Sequence, residues 1–274
     1  MPPLAPSALP SFLTRLATRL PRSASPSTSS LLPLLTATTL GHGQTWLRPC
    51  LTRLLSPLPP PPSPVPPEPP VAAEDAHLHP RRFAVAQLKE ALTKSVILVG
   101  VPKVIETLLE LDAALEPGDK SSRFVRRELE GGTAQERLDA GAKGLQTVYQ
   151  AQLDGIFGRM RADGLEDIRY ISQANTYGTF LTPFPSAPAS SSPDPLSIDP
   201  RLLSVVTLSC LTPQRTEREI LWHLRGAIRR GWKRDEVEML QSAIEEVCGA
   251  CGLEEVGKGM PRVADVEKLV EEEQ

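Results

Sequence analysis

Apolar residues recur at the three- and four-residue spacing of an amphipathic helix along most of the chain after residue 82. The pattern predicts helices at residues 83–99, 103–115, 134–161, 165–181 and 202–211, and a charged helix at 262–273. The 202–211 helix is apolar nearly all round, which is typical of a buried helix. No stretch is a credible strand, so we predict an all-α bundle.

The stretch from residue 212 to 251 predicts two more helices joined at a glycine. Thr212 can cap the first helix, and Pro213 fits its opening turn, where a missing N–H costs nothing. Gly231 suits the left-handed residue that ends this helix. A second helix, predicted at residues 237–247, follows an acidic start.

His223 is the main candidate for chemistry, because it lies at the edge of the apolar face of the first of these two helices. Glu219 precedes it by one turn and is its neighbour on the helix surface. One hypothesis is that Glu219 orients the ring while His223 transfers a proton on a bound substrate. The alternative is a histidine at the core edge with one nitrogen satisfied and no catalytic role.

The same stretch carries a family resemblance. Its sequence His-Leu-Arg-Gly-Ala-Ile-Arg-Arg-Gly, followed by Asp235, Glu236 and Val237, resembles the carboxymuconolactone decarboxylase family, which includes the alkyl hydroperoxidase D (AhpD) branch. A partial echo of the unit lies at residues 87–115. Tyr177 and Gly178, just ahead of an insertion, look similar to what fungal-type members carry.

The resemblance implies an AhpD-like helical bundle in which residues 87–115 and 202–252 are related halves of a degenerate repeat. It also implies a homo-oligomer. It suggests non-thiol acid/base chemistry by His223 and Glu219 on a small carboxylated or lactone-like substrate, with no cofactor and no metal. The rival hypothesis is a binding or assembly protein that kept the fold and lost the site.

A divergent peroxidase is a third hypothesis. Redox-active AhpD members resemble one another in carrying cysteines seven and four residues before the histidine, but those positions here are Thr216 and Glu219. A Cys-x-x-Cys pair does occur at Cys248 and Cys251. It falls at the end of the predicted 237–247 helix, where the helix dipole disfavours a thiolate, so we interpret both as buried or incidental thiols.

Composition divides the chain at about residue 80. The first 70 residues hold 18 of the 29 prolines, and such a segment is not expected to form a packed core. We therefore predict a disordered leader and Pro-rich linker at residues 1–80 and a helical domain at 81–262. Within that domain, residues 183–200 are predicted to be an exposed loop, and residues 263–274 a charged tail.

The leader also suggests a subcellular location. Phe12, Leu13, Leu16 and Leu20 fall on one side of a helix beside Arg15 and Arg19, in a segment that is rich in serine and nearly free of acids. This composition is typical of a mitochondrial transit peptide, which predicts a matrix protein. A disordered arm without an address, hence a cytoplasmic protein, is the alternative. The last four residues, Glu-Glu-Glu-Gln, match no peroxisomal signal.

Charge and motifs exclude several classes of function. Only five of the 30 basic and one of the 33 acidic residues precede residue 72, which leaves 25 basic against 32 acidic in the rest. That acidic remainder offers no basic face for nucleic acid. No apolar run approaches the roughly 20 residues of a membrane span. No phosphate loop, Ser/His/Asp order or HExxH motif is present.

Overall fold

A computed structural model describes residues 2–60, 79–121, 125–126, 132–182 and 194–266. These residues contain helices and no strand, which confirms the predicted all-α class. The helices are α1 Leu9–Ala17, α2 Thr28–Thr39, α3 Gly43–Leu55, α4 Pro80–Val99, α5 Val101–Ala114, α6 Ala134–Tyr149, α7 Gln152–Ala162, α8 Glu166–Tyr170, a π-helix Ile171–Leu181, α9 Leu202–Gln214, α10 Glu217–Arg229 and α11 Arg234–Ala250. No helix in the described ranges is long and apolar enough to cross a membrane.

The predicted disordered leader is wrong over residues 2–60, because α1, α2 and α3 belong to the main core. Helix α2 packs against α3, α4, α9 and α11, and its leucines Leu31, Leu32, Leu34 and Leu35 are fully buried. Pro33 inside α2 removes one helical hydrogen bond, at a cost of about 3 kcal/mol. Each buried leucine returns about 1.5–3 kcal/mol, so several leucines outweigh one proline.

Helix α9 lies at the centre of the bundle, as its apolar sequence predicts. It packs against α2, α4, α10 and α11, and every residue from Leu202 to Pro213 is buried. The predicted start of the next helix at Thr212 and Pro213 is wrong, because both residues belong to the last turn of α9. Arg215 then takes a left-handed conformation with φ of 54°, and α10 begins at Glu217.

The single helix predicted at residues 134–161 is two helices, α6 and α7. Gln150 separates them with φ of 45°, a conformation that few side chains adopt. The π-helix packs on α6 at very short range. A Cβ added to Gly141 would lie 1.9 Å from the Gln173 carbonyl oxygen, and one added to Gly178 would lie 2.2 Å from that of Arg137. These two glycines therefore allow the close approach of the backbones.

A buried ion cluster ties the chain around residue 194 to α4. Lys94 is fully buried, and its Nζ lies 3.0 Å from Asp194 Oδ2 and 3.3 Å from Glu90 Oε1. Arg126 pairs with Glu90 through two contacts of 2.9 Å. The predicted exposed loop at 183–200 is thus corrected at its end, where Asp194 and Leu196 are buried. Residues 183–193 lie outside the described part of the chain.

Two further predictions concern the repeat and the tail. Helices α4 and α5 meet at Gly100 with φ of 93°, and α10 and α11 meet at Gly231 with φ of 101°. Both halves therefore contain the expected helix, glycine and helix, while their descent from one repeat stays a prediction.

The charged tail is corrected at its start, because Val263 and Val266 are buried. Residues 267–274 lie outside the described ranges.

Candidate functional site at His223

His223 occupies the inner face of α10. This helix buries Ile220, Leu224 and Ala227 on the same side, and it carries Glu217 and Glu219 in its first turn, where the helix dipole favours acids. Only 4% of the His223 surface is exposed. The sequence placed this histidine at the edge of the apolar face, whereas the structure places it inside the core.

The Glu219–His223 pairing expected from the sequence is not formed. Glu219 is exposed to solvent, and His223 Nδ1 has no hydrogen-bond partner among the described residues. The other ring nitrogen, Nε2, faces the Tyr177 hydroxyl at 3.5 Å, which is long for a hydrogen bond. Spacing of i and i+4 put the two residues on one side of α10, but it did not fix where each side chain points.

Tyr177 and Tyr149 complete the buried surroundings of His223, and sequence analysis missed their roles. Tyr177 comes from the π-helix and Tyr149 from the end of α6. Their rings meet edge to face with centroids 6.5 Å apart, and Tyr149 meets Trp222 in the same way at 5.0 Å. A π-helix is rare and is often found at functional sites. The Tyr177–Gly178 pair noted in the sequence was the only signal for this arrangement.

Arg230 is the fourth member of the cluster and was also missed. Its side chain folds back along α10, where a Cβ added to Gly226 would lie 3.1 Å from the Arg230 Nη1 atom. That atom is buried without a hydrogen-bond partner within the described ranges. Burial lowers the Arg230 pKa, while the neighbouring Tyr177 and Tyr149 act in the opposite direction. The site therefore contains a guanidinium whose Nη1 atom is paired with no carboxylate among the described residues.

The electrostatics of the cluster keep its other three members neutral. Burial, followed by the positive charge of Arg230, lowers the pKa of His223 to about 3. Burial raises the pKa of Tyr177 to about 12, opposed by Arg230. Burial and Tyr177 raise the pKa of Tyr149, and the charge of Glu219 adds to the shift. At neutral pH the cluster is one cation with an uncharged imidazole and two phenols.

A groove of about 1070 Å³ approaches this cluster between α7 and α10. Apolar and charged side chains line it, among them Ile156, Leu221, Trp222, Arg159, Arg218 and Glu217. Trp222 also packs on Tyr149, which in turn packs on Tyr177. Two aromatic rings therefore separate the groove from the His223 surroundings.

The Cys-x-x-Cys pair lies elsewhere, at the C-terminal end of α11. Cys248 is in the last turn, and Cys251 follows the helix. Both thiols are buried, and burial raises the pKa of each to about 12. Peroxide attack requires a thiolate, which such thiols do not form at neutral pH. The geometry therefore favours the interpretation of these cysteines as core residues.

Metal ligation has no basis in the described residues. They contain no group of three or more His, Cys, Asp and Glu side chains that could hold a metal ion. His223 has tyrosine and arginine neighbours, which are not a ligand set for zinc.

Comparison with known proteins gives one distant similarity. No family model matches the chain, and no solved structure matches it significantly. The chain is similar to Peroxisomal protein 2 of Schizosaccharomyces pombe, with 25% identity over 185 residues, covering 66% of this chain and 78% of that protein. The resemblance to the carboxymuconolactone decarboxylase family stays a prediction.

The predicted mitochondrial matrix location is wrong in the light of this relative, whose name points to a different organelle. The fold removes the physical basis of that prediction as well. Phe12, Leu13, Leu16 and Leu20, which would form the apolar face of a transit peptide, are buried in the core.

Proposed function

We propose that this protein binds a small carboxylated molecule beside Arg230 and that His223 transfers a proton on it. The observation that carries the proposal is the buried Nη1 atom of Arg230, which has no hydrogen-bond partner in the described part of the chain. A buried donor without an acceptor costs free energy. A carboxylate would supply the acceptor and the compensating charge, and such charge-assisted hydrogen bonds are the strong ones.

The two nitrogens of His223 suit different parts of this role. Nε2 can donate to the Tyr177 oxygen, since Tyr177 lies beside it and stays protonated with its raised pKa. Nδ1 is then the basic nitrogen, and no described residue donates a hydrogen bond to it. A substrate C–H proton can transfer to Nδ1, which forms an imidazolium beside the ligand carboxylate.

Ligand binding would also tune the basicity of His223. The positive charge of Arg230 is the second cause of the low His223 pKa, after burial. A carboxylate bound to Arg230 offsets that charge and adds a negative charge near the ring. Both changes raise the His223 pKa towards the range where a general base is effective. Substrate binding and base activation are thereby coupled.

The groove between α7 and α10 supplies the approach for the ligand in this proposal. Arg159 and Arg218 outnumber Glu217 among the residues that line it, so the net charge of the groove favours an anion. Rotation of the Trp222 and Tyr149 rings opens the way to Arg230. The chemistry uses no thiol, in keeping with the carboxymuconolactone decarboxylase-like function that the sequence suggests. Tyr177 takes the orienting role that the sequence hypothesis assigned to Glu219.

The test is proton exchange on small lactone and keto carboxylates, headed by carboxymuconolactone, in D₂O. NMR follows loss of the C–H signal, and calorimetry follows binding. We expect His223→Gln to slow exchange about 10²- to 10⁴-fold while binding remains. Arg230→Gln is expected to weaken binding about 10- to 100-fold, the equivalent of one hydrogen bond to a charged group.

Glu219→Gln is the matched control, because this exposed residue has no hydrogen bond to His223. Both readouts are expected to stay at the wild-type level. Full exchange by a folded His223→Gln protein would contradict the catalytic role. If no carboxylate binds, the His223 cluster only packs the core. The alternative function, a binding or assembly protein, is then favoured. That rival has its own support in the exposed stripe of Val101, Ile105 and Leu109 on α5.

We also propose a peroxisomal location, supported by the similarity to Peroxisomal protein 2. The full chain fused at its N terminus to a fluorescent protein is expected to form puncta that coincide with a peroxisomal marker in S. pombe cells. The fluorescent protein alone is the control. A signal that follows a mitochondrial marker, or that stays diffuse like the control, would show that the relative's location does not transfer.

A further inference from the structure

A second cavity, remote from His223, lies among the N-terminal helices. It has a volume of about 1150 Å³ and is lined by α1, the start of α2, the end of α3 and the start of α4. This volume is slightly above the usual range of about 300–1,000 Å³ for small-molecule sites. None of the four members of the His223 cluster lines it. The cavity is therefore a separate site that the proposed function does not use.

One part of the cavity is apolar. Leu13 from α1, Leu54 from α3, and Phe83 and Ala84 from α4 line it. These side chains offer carbon surface without hydrogen-bonding groups. They suit an alkyl chain, whose transfer from water is favourable in proportion to the apolar area that it buries.

The other part of the cavity is suited to an anion. Arg53 lines it, and its Nε donates to the Ser29 hydroxyl at 3.2 Å. No carboxylate in the described ranges pairs with Arg53, whereas Arg48, also at the cavity, pairs with Glu110 at 2.7 Å. Ser27 and Ser29 belong to the start of α2 and also line the cavity. The positive end of the helix dipole thus adds to the guanidinium charge.

From this arrangement we infer that the cavity binds an alkyl carboxylate. The head group lies between Arg53 and the start of α2, and the chain extends over the apolar residues of α1 and α4. A neutral alcohol of the same length would keep the apolar contacts and lose the charge-assisted hydrogen bonds. An anion without an alkyl chain would keep the head-group contacts and lose the burial.

The experiment is calorimetric titration of the full chain with octanoate, decanoate and 1-decanol. We expect decanoate to bind at one site, and up to about 15-fold more tightly than octanoate, because each buried CH₂ contributes about fourfold. Decanol is expected to bind at least tenfold more weakly than decanoate. Arg53→Gln should remove that difference by weakening decanoate alone, and Arg53→Lys should restore part of it.

Thr52→Trp is the blocking variant. Thr52 is exposed and lines the cavity, so an indole there fills the site without removing a core residue. It is expected to abolish binding of both decanoate and decanol. Arg15→Gln, on α1 but outside the lining, is the matched control and should change neither affinity. Circular dichroism checks that each variant is folded.

Three results would overturn the inference. Absence of decanoate binding would exclude the ligand class. Equal affinity of wild type and Arg53→Gln for decanoate would exclude the head-group site. Unchanged binding by Thr52→Trp would place the ligand elsewhere. Each of these outcomes leaves the proposal at His223 intact, because the two sites share no residue.

Discussion

A protein that lacks residues 2–60 is expected not to fold. The deletion removes α1, α2 and α3 and exposes the faces of α4, α9 and α11 on which α2 packs. Each fully buried leucine of α2 contributes about 1.5–3 kcal/mol. A domain is stable by only about 5–15 kcal/mol, so the loss of four such leucines alone is comparable with the total. Far-UV circular dichroism and thermal unfolding of residues 61–274 measure the effect.

A single substitution in the full chain also tests whether α2 is part of the core. Leu34→Ala is expected to lower the free energy of unfolding by about 2–5 kcal/mol, since Leu34 is fully buried in α2. Thr52→Ala, at an exposed position of α3, is the control and is expected to stay within about 0.5 kcal/mol of wild type. Cooperative unfolding of the truncated protein at the wild-type temperature would restore the interpretation of the leader as a removable segment.

The prediction of a disordered leader is wrong because the first 60 residues form leucine-rich helices in spite of their prolines. Pro10 lies in the first turn of α1, where proline is tolerated. Pro33 and Pro49 lie inside α2 and α3, where each costs a helical hydrogen bond. Propensity describes the isolated helix, and burial against α9 and α11 overrides it. The leucine-rich runs of this region were core helices that the composition concealed.

Local signals predicted the second part of the chain much better. Gly100 and Pro102 fixed the boundary between α4 and α5 to within two residues, because a left-handed glycine ends one helix and a proline suits the start of the next. Gly231 likewise marked the end of α10, which closes at Arg229, whereas α11 begins at Arg234, three residues before its predicted start. By contrast, nothing in the sequence marked Gln150 as the break between α6 and α7. A left-handed residue other than glycine has no comparable signal.

The candidate site illustrates the limit of sequence periodicity. Periodicity placed His223 on the right helix and beside its apolar face, since these depend on neighbours within one turn. It did not show that the ring lies inside the core. Tyr149 and Tyr177 come from two other elements, and their approach depends on the packing of the π-helix against α6. That packing needs Gly141 and Gly178, whose added Cβ atoms would collide with backbone oxygens. Such long-range contacts leave no periodic pattern in the chain.

The pH dependence of stability is expected to show whether His223 is buried as a neutral residue. Its folded pKa is about 3, lowered from 6.5 by burial and by Arg230. Between these two values the unfolded chain binds a proton that the folded protein does not. The free energy of unfolding therefore rises with pH through this window, and the His223 contribution is complete above pH 6.5 and lost as pH falls towards 3.

The size of this effect is on the order of 5 kcal/mol, because one unit of pKa corresponds to about 1.36 kcal/mol. Carboxyl groups titrate in the same range, so the quantity to measure is the difference between wild type and His223→Gln. Urea unfolding from pH 3 to 7 gives that difference. We expect it to favour wild type increasingly as pH rises, and NMR of the imidazole carbons should show no titration of His223 above pH 5.

The direction in which this stability difference changes with pH distinguishes a His223 ring beside Tyr177 from a ring paired with Glu219, as the sequence suggested. A Glu219 carboxylate paired with His223 would favour the imidazolium and raise its pKa. The stability from His223 would then be present below pH 6.5 and lost as pH rises, opposite to the expectation above. Glu219→Gln is expected to leave the measured difference unchanged, because this exposed residue is not a hydrogen-bond partner of the ring. A reversed slope that disappears in Glu219→Gln would show that the carboxylate, and not Tyr177, is the working neighbour of His223.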